Sequence, residues 1–170
     1  MSITARQIQP NEWALMKKIR LAALQDAPQA FATSFATAQK MSDAHWQQRT
    51  SEGAQGEKSF CAIAFDNQKP IAMGVGLPDE DNEHHSHLVA MWVSPEYRGT
   101  NTARLILEEI FHWAKKRNAL FMFAGVKENN HRAENFYKKM GFVTYNGEKL
   151  TAKAVCDCNI VLQKALNSHC

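Results

Sequence analysis

The stretch Val93-Ser94-Pro95-Glu96-Tyr97-Arg98-Gly99-Thr100-Asn101-Thr102-Ala103-Arg104-Leu105-Ile106 has the residue types of an anion-binding corner. An apolar run ends at Val93, a short loop follows, and the strongest amphipathic helix pattern of the chain begins directly after it. The first turn of such a helix presents unpaired N–H groups and the positive end of the peptide dipoles. Together these attract phosphate. Gly99, Thr100, Thr102 and Ala103 are small enough to let a nucleotide diphosphate approach the backbone, and the loop offers no nucleophile and no metal ligand. Its chemistry is binding.

Two further groups of residues suggest other chemistry and carry it less far. His84, His85 and His87 lie close together, as metal ligands do, but no carboxylate or Cys spacing matches them, so no metal is expected. Cys61, Cys156, Cys158 and Cys170 form no pair of Cys-x-x-Cys knuckles and are too sparse for a disulfide scaffold. Cys61 reads as packing; Cys156 and Cys158, either side of Asp157, share one strand face.

The elements that must position these groups follow from periodicity. Ile3 to Ile8 is a candidate strand, and Pro10-Asn11 supplies a turn with a helix cap before Glu12. Trp13, Met16, Ile19 and Ala23 recur at helical spacing up to Asp26-Ala27-Pro28. Ser42 opens a second helix carrying Trp46 and Arg49, loosened at its end by Gly53 and Gly56. Residues 60–65, 71–77 and 87–93 read as three strands in series, the first two a hairpin across Asp66-Asn67-Gln68-Lys69-Pro70 and the third entered through the acidic turn 78–83. Ala103, Ile106, Leu107, Ile110, Phe111, Trp113 and Ala114 form a wide apolar helix stripe that Asn118 closes. A strand over 119–126 follows, then a helix capped by Asn129 or Asn130 and stopped by Gly141, with Ala133, Phe136, Tyr137 and Met140 on its apolar face. Strands over 142–145 and 155–162 complete the order, which predicts an α/β fold with a mixed sheet rather than a strict βαβ repeat.

Composition bounds the rest. The chain has 170 residues, 45% of them hydrophobic and 22% charged, with no internal repeat, linker or low-complexity run, so one domain over 1–170 is expected. No apolar run approaches the ~18 residues of a membrane span and the first residues lack a signal-peptide layout, which predicts a cytoplasmic protein with reduced thiols and no membrane partner. A net charge of +3, with no basic helix interleaved with aromatics, argues against nucleic acid. That charge is unevenly spread. Residues 1–97 carry 8 Lys+Arg and 11 Asp+Glu, residues 98–139 carry 9 and 4, and residues 140–170 carry 3 and 2. The excess is therefore concentrated in the segment that begins at the phosphate-binding corner.

Val93, Pro95, Arg98, Gly99 and Ala103 match the signature Val-x-Pro-x-x-Arg-Gly-x-Gly-x-Gly/Ala, and Asn130-x-x-Ala133-x-x-Phe136-Tyr137-x-x-x-Gly141-Phe142 matches a second motif. On these two motifs, about 30 residues apart, the chain resembles the GNAT superfamily of acetyl-CoA-dependent N-acyltransferases. Arg20-Leu21-Ala22-Ala23-Leu24, followed by Pro28-x-Ala30-Phe31, is also similar to the opening of many members. The departure is Asn101, where the family has Gly; Asn is the residue other than Gly that best tolerates left-handed dihedrals.

The resemblance implies a mostly antiparallel central sheet with helices on both faces, splayed between the fourth and fifth strands to admit the pantetheine of acetyl-CoA. It implies cofactor contacts from Met91, Trp92, Val93, Arg98, Gly99, Thr100, Asn101, Thr102, Ala103, Asn130, Ala133 and Tyr137. Acetyl transfer by direct attack needs a neutral amine, a polarised thioester carbonyl and a proton for the thiolate. In the family's arrangement backbone N–H groups at Met91 to Val93 meet the carbonyl and pantetheine amides, and Tyr137 is the acid. His87, six residues before Val93 where a family member also has His, is the candidate base; Glu80 and Glu83 are alternatives for attracting or deprotonating the amine. Arg20, Phe31, Phe35 and Trp46 fall where the family builds its acceptor wall. The expected acceptor is a small-molecule primary amine and the expected state a monomer or homodimer. A protein N-terminus or lysine is the alternative acceptor, and a non-catalytic acyl-CoA-binding module the alternative of another class.

Overall fold

Residues 2–150, 158 and 160–166 are described by the structure, a computed structural model. The strands are β1 (Ile3–Gln7), β2 (Phe60–Asp66), β3 (Lys69–Pro78), β4 (His85–Val93), β5 (Phe121–Val126), β6 (Val143–Thr144) and β7 (Ile160–Ala165). The helices are α1 (Trp13–Asp26), α2 (Phe35–Gln39), α3 (Asp43–Gln55), α4 (Thr102–Lys116) and α5 (His131–Lys139), with 3-10 turns at Pro28–Ala30 and Pro95–Tyr97. The seven strands form one mixed sheet in the order β1-β2-β3-β4-β5-β7-β6. β1 runs antiparallel to β2, and β7 antiparallel to both β5 and β6. Backbone bonds from Ser94 N–H to Ile71 C=O (2.8 Å) and from Asp79 N–H to His85 C=O (3.2 Å) join opposite ends of β3 and β4, as antiparallel strands require.

β4 and β5 are the parallel pair, and their register runs from His85↔Phe121 only as far as Leu88↔Ala124. β4 continues to Val93, while Gly125 and Val126 pair with Val161 and Ile160 of β7. Ala90 lies just beyond the last pair with φ +55, a left-handed conformation that costs a non-glycine residue about 1–2 kcal/mol. It interrupts the extended backbone of β4 just past the last paired residue. The fourth and fifth strands are thus splayed, as expected.

The chain gathers into two compact units, Met1–Val75 with Ala90–Ile110, and Gly76–Val89 with Phe111–Cys170. In the first, Phe60 to Phe65 are all buried, because β2 is covered on both faces. Cys61, Ile63 and Phe65 join Met73, Trp92, Ile8, Met16, Ile19, Ala23, Leu24 and Trp46 in one core cluster against α1 and α3. Gly74, the next residue after Met73, points to the opposite face, where an added Cβ would come within 2.6 Å of Ile106 Cγ2 and 3.0 Å of Ile110 Cδ1. Helix α4 therefore lies on that face, and the absence of a side chain sets how closely it approaches. Gly74→Val should cost about 2 kcal/mol and lower the melting temperature by roughly 4–8 °C; an unchanged melting temperature would contradict this packing.

In the second unit Met122, Phe123, Ala124 and Leu162 are buried along β5 and β7, and Phe142 packs on Phe111 with ring centroids 6.0 Å apart. Gly141 ends α5 with φ +97, and Asn118 follows α4 with φ +65, as their types suggest. Among the described residues no helix is long and apolar enough to cross a membrane.

Some elements differ from expectation. Pro10-Asn11 does not cap α1: Glu12 is its N-cap residue, without a side-chain cap bond, because its carboxylate takes Arg6 (2.8 Å to each oxygen) and the Gln9 N–H (2.7 Å) instead. Helix α2 was not anticipated, since five residues are too few for periodicity to register; its one signal is Ser34, whose Oγ accepts from Thr37 N–H at 3.1 Å. The expected strand over 155–162 is described only from Ile160, and Cys156 and Cys170 lie outside the described residues.

Candidate functional site

The turn from Arg98 to Ala103 leads into a helix as its sequence suggests, with one change of reason. Gly99 adopts φ +84, and a Cβ built there would meet nothing within 4 Å, so the space beside it is open. Asn101 is not among the residues with positive φ. The loop needs no left-handed residue there, and Asn is accommodated as ordinary backbone. Its carbonyl accepts from Leu105 N–H at 3.1 Å, which makes it the residue that opens α4. Buried Thr102 donates its N–H to Thr100 Oγ1 at 3.3 Å, and the two hydroxyls are 2.7 Å apart. Gly99, Thr100 and Asn101 are exposed and Ala103 half-buried. The corner therefore presents backbone to an incoming anion while its own hydroxyls hold the turn.

Arg98 serves that turn rather than standing free. Its Nε donates to Val93 C=O at 3.0 Å and its Nη2 to Asp26 Oδ2. Asp26 also accepts Trp92 Nε1–H at 2.9 Å. The Trp92 bond, followed by the Arg98 pair, holds the Asp26 carboxyl below its ordinary range against the effect of burial. Residue types did not single out Asp26, because it closes α1, far from the motif in sequence. Trp92 is buried and Met91 and Val93 half-buried beside it on β4.

In the second unit His87 is 2% exposed and its Nε2 lies 2.7 Å from Asp79 Oδ2. Asp79 Oδ1 accepts from the N–H groups of Asp81 (2.9 Å) and Asn82 (3.0 Å). Burial pushes the Asp79 carboxyl up, but the His87 bond and these backbone donors outweigh it and keep the group below its usual range. An ionised Asp79 can only accept, so the partner bond assigns the hydrogen to Nε2. In a neutral ring the lone pair is then on Nδ1, which is buried with no hydrogen-bond partner. Asp79 was the missed residue here; the available signal was a carboxylate at the mouth of the turn that leads back to the His87 strand. It also borders a cleft of about 700 Å³ lined by Pro78 to Ser86 and Arg117, where Glu80 and Glu83 lie. Among the described residues no group of three or more His, Cys, Asp or Glu is placed to hold a metal ion.

Tyr137, on α5, is 8% exposed, with its ring 5.4 Å from that of Phe142 and 5.6 Å from that of Phe136. Burial alone pushes its phenol above the ordinary range, so it is held protonated. Asn130, not Asn129, caps the helix: its Oδ1 accepts from Ala133 N–H at 3.2 Å. Both residues remain accessible, Asn130 fully and Ala133 in part.

The four residues expected at an acceptor wall gather in the first unit. Arg20 is 8% exposed, with its guanidinium 4.6 Å over the ring of Phe31. Phe31 and Phe35 are half-buried against the core cluster that contains Trp46, itself 1% exposed. Burial, then the field of Arg49, lowers the Arg20 pKa to about 10, while burial raises that of the Cys61 thiol to about 12. Arg20 Nη1, Trp46 Nε1 and Thr50 Oγ1 are all buried without a hydrogen-bond partner. Removing an ion from water costs several kcal/mol, of which a desolvated cation–π contact returns about 2. Thr50 and Arg49 carry no motif and were not singled out from the sequence for this site.

Comparison with known proteins adds three findings. The model of one family, described as Acetyltransferase (GNAT) family, matches residues 21–142. Among curated proteins, an uncharacterized N-acetyltransferase of Mycobacterium tuberculosis is 29% identical over 70 residues, which are 41% of this chain and 45% of that protein. The catalytic subunit of the N-terminal acetyltransferase B complex of Schizosaccharomyces pombe is 29% identical over 91 residues, 51% of each. The matched segments thus span about half the length of these relatives. Among solved structures, an acetyltransferase of the GNAT family from Streptococcus pneumoniae superposes with a TM-score of 0.78 at 17% identity, covering 98% of this chain and 100% of that one. The PaiA N-acetyltransferase of Thermoplasma acidophilum, in complex with coenzyme A, superposes with a TM-score of 0.75 at 15% identity over 97% and 99%.

Proposed function

We propose, from the premise that the chain belongs to the acetyltransferase (GNAT) family, that it transfers an acetyl group from acetyl-CoA to a primary amine of a small molecule in the cytoplasm. The observation that carries this reading is the open turn at Gly99 to Asn101 before α4, with free space beside Gly99 and backbone exposed to a polyanion. The group fits the residues present: Gly99, Thr100, Asn101, Thr102 and Ala103 would hold its diphosphate, with Arg98 anchored to Asp26 behind them. Met91 to Val93, Asn130 and Ala133 would take its amide-bearing arm. Bound acetyl-CoA supplies an acetyl group activated as a thioester, open to direct attack by an amine with loss of the thiolate.

The chain's own part is to move two protons. Tyr137 Oη holds one for the departing sulfur, and its burial keeps it in place through neutral pH. His87, its ring held by the Asp79 bond at Nε2, is the base in this reading; because its Nδ1 is buried, the proton reaches it through water rather than by direct contact with the amine. Backbone N–H groups at the end of β4, beyond Ala90, polarise the carbonyl.

Likeness to the catalytic subunit of the N-terminal acetyltransferase B complex favours one second reading, in which the acceptor is a protein N-terminus. Calorimetry with acetyl-CoA, followed by thiol-release turnover against small amines and against N-terminal peptides, tests both. Micromolar binding with turnover on amines is expected. No binding at millimolar acetyl-CoA would end both readings, and binding without any turnover would leave an acyl-CoA-binding module.

A further inference from the structure

A carboxylate stands behind the turn from Arg98 to Ala103. Asp26, the last residue of α1, accepts Nη2 of Arg98 and, on the same oxygen, Nε1–H of Trp92 at 2.9 Å. All three residues belong to one compact unit. The side chains of Arg98 and Asp26 are 29% and 28% exposed, so the pair is partly withdrawn from water and is firmer than an ion pair on the open surface. By charge alone Asp26 is misplaced, because a carboxylate beside an anion site repels the ligand. Its bonds supply the reason for it. The Trp92 ring is packed in the core cluster, and its indole N–H fixes where the carboxylate lies. The carboxylate in turn fixes the guanidinium, whose Nε donates to Val93 C=O at 3.0 Å, where β4 ends. Arg98 directly precedes Gly99, whose φ of +84 reverses the backbone ahead of α4. The bonds thus run from the core through Trp92, Asp26 and Arg98 to the turn itself.

We propose that Asp26 is a positioning residue for acetyl-CoA: anchored by Trp92, it holds Arg98 so that the backbone from Gly99 to Ala103 faces the diphosphate, and it touches the cofactor nowhere itself. This rests on the reading of that turn as the diphosphate site. The guanidinium of Arg98 then aligns the turn rather than gripping the phosphates, since its Nε and Nη2 are both committed within the chain. Other bonds keep the segment attached when Asp26 is removed. Tyr97 Oη donates to Asp66 Oδ2 at 2.7 Å, and Ser94 N–H to Ile71 C=O at 2.8 Å. Loss of Asp26 therefore disturbs the direction of the turn while its tether to β2 and β3 survives.

The test compares acetyl-CoA with S-acetylpantetheine, which lacks the nucleotide and its diphosphate. Each is titrated calorimetrically into the unchanged chain and its variants at fixed ionic strength, S-acetylpantetheine at millimolar concentration. Asp26→Ala should weaken acetyl-CoA about 10-fold, near the lower end of what one hydrogen bond to a charged group supplies. Its KM should rise by the same factor with kcat at saturation unchanged, while S-acetylpantetheine binds as before. Trp92→Phe, which keeps a ring in the core and loses the Nε1–H, should weaken acetyl-CoA about 3-fold, and it carries the comparison if Asp26→Ala fails to fold. In an Arg98→Gln background Asp26→Ala should cost nothing further, because the two residues act as one unit. Charge alone predicts the opposite sign. With the repelling carboxylate gone acetyl-CoA would bind more tightly, and equal or tighter binding by Asp26→Ala would overturn the assignment while leaving the diphosphate site intact. Equal losses for acetyl-CoA and S-acetylpantetheine would overturn it too, since a general loosening of the fold does not single out the diphosphate. A full further loss in the Arg98→Gln background would do the same. If the unchanged chain binds no acetyl-CoA, the reading of the turn fails, and the part of Asp26 with it.

Discussion

Tyr137→Phe is expected to lower kcat by roughly 10²–10³-fold, within the usual range for losing a positioned acid, with KM for acetyl-CoA nearly unchanged. The ring stays and only the Oη proton is lost, so packing against Phe136 and Phe142 should survive. Single-turnover measurements, in which chemistry limits the rate, give the clean comparison; full turnover there would remove Tyr137 from the mechanism. The pH dependence has a definite sign. Burial raises the folded phenol above its unfolded value of ~10, so the folded state holds this proton more tightly. The associated stability is fully present below pH ~10 and declines as pH rises beyond it, through the folded pKa. An alkaline limb from Tyr137 should accordingly be absent from the rate profile at neutral pH, and a loss of rate with a midpoint near neutrality would belong to another group.

His87→Ala is expected to cost about 10²-fold in kcat/KM, measured as thiol release with an amine acceptor. Asp79→Asn should act through His87, as a positioning change. The amide no longer requires a hydrogen on Nε2, so the lone pair at Nδ1 is no longer assured. The rate should fall about 10-fold, with KM for acetyl-CoA nearly unchanged. A merely structural role for Asp79 would make Asp79→Asn cost as much in a His87→Ala background as alone, whereas a positioning role predicts no further loss there. A His87→Ala rate equal to that of the unchanged chain would exclude the imidazole as base and return attention to Glu80 and Glu83 at the neighbouring cleft.

The order of strands and helices, the turn of small residues that opens α4 and the pairing of two motifs were legible in the sequence because each depends on local regularities. Strand runs alternate or stay continuously apolar, α4 carries a full apolar stripe, and the corner is made by small residues at one strand-to-helix junction. The GNAT resemblance, and the expected splay of the fourth and fifth strands, came from the same residues. Helix α2 escaped because five residues hold too little periodicity, and the supposed cap at Asn11 failed because the Glu12 carboxylate made a better set of bonds with Arg6 and Gln9.

Residue types and spacing by themselves determined the α/β class with a mixed sheet and the turn of small residues from Gly99 to Ala103 that opens α4, while the expected roles of Tyr137 and His87 came with the resemblance. Only the tertiary structure decided which carboxylate serves which group. Asp26 holds Arg98 across 72 positions of sequence, Asp79 fixes the tautomer of His87 across a turn, and Arg20 is left in the core with no carboxylate among the described residues. The physical reason is that charge pairing depends on distance and burial. A sequence orders charges along the chain, whereas folding selects which of them lose water together and which are left to find a partner elsewhere.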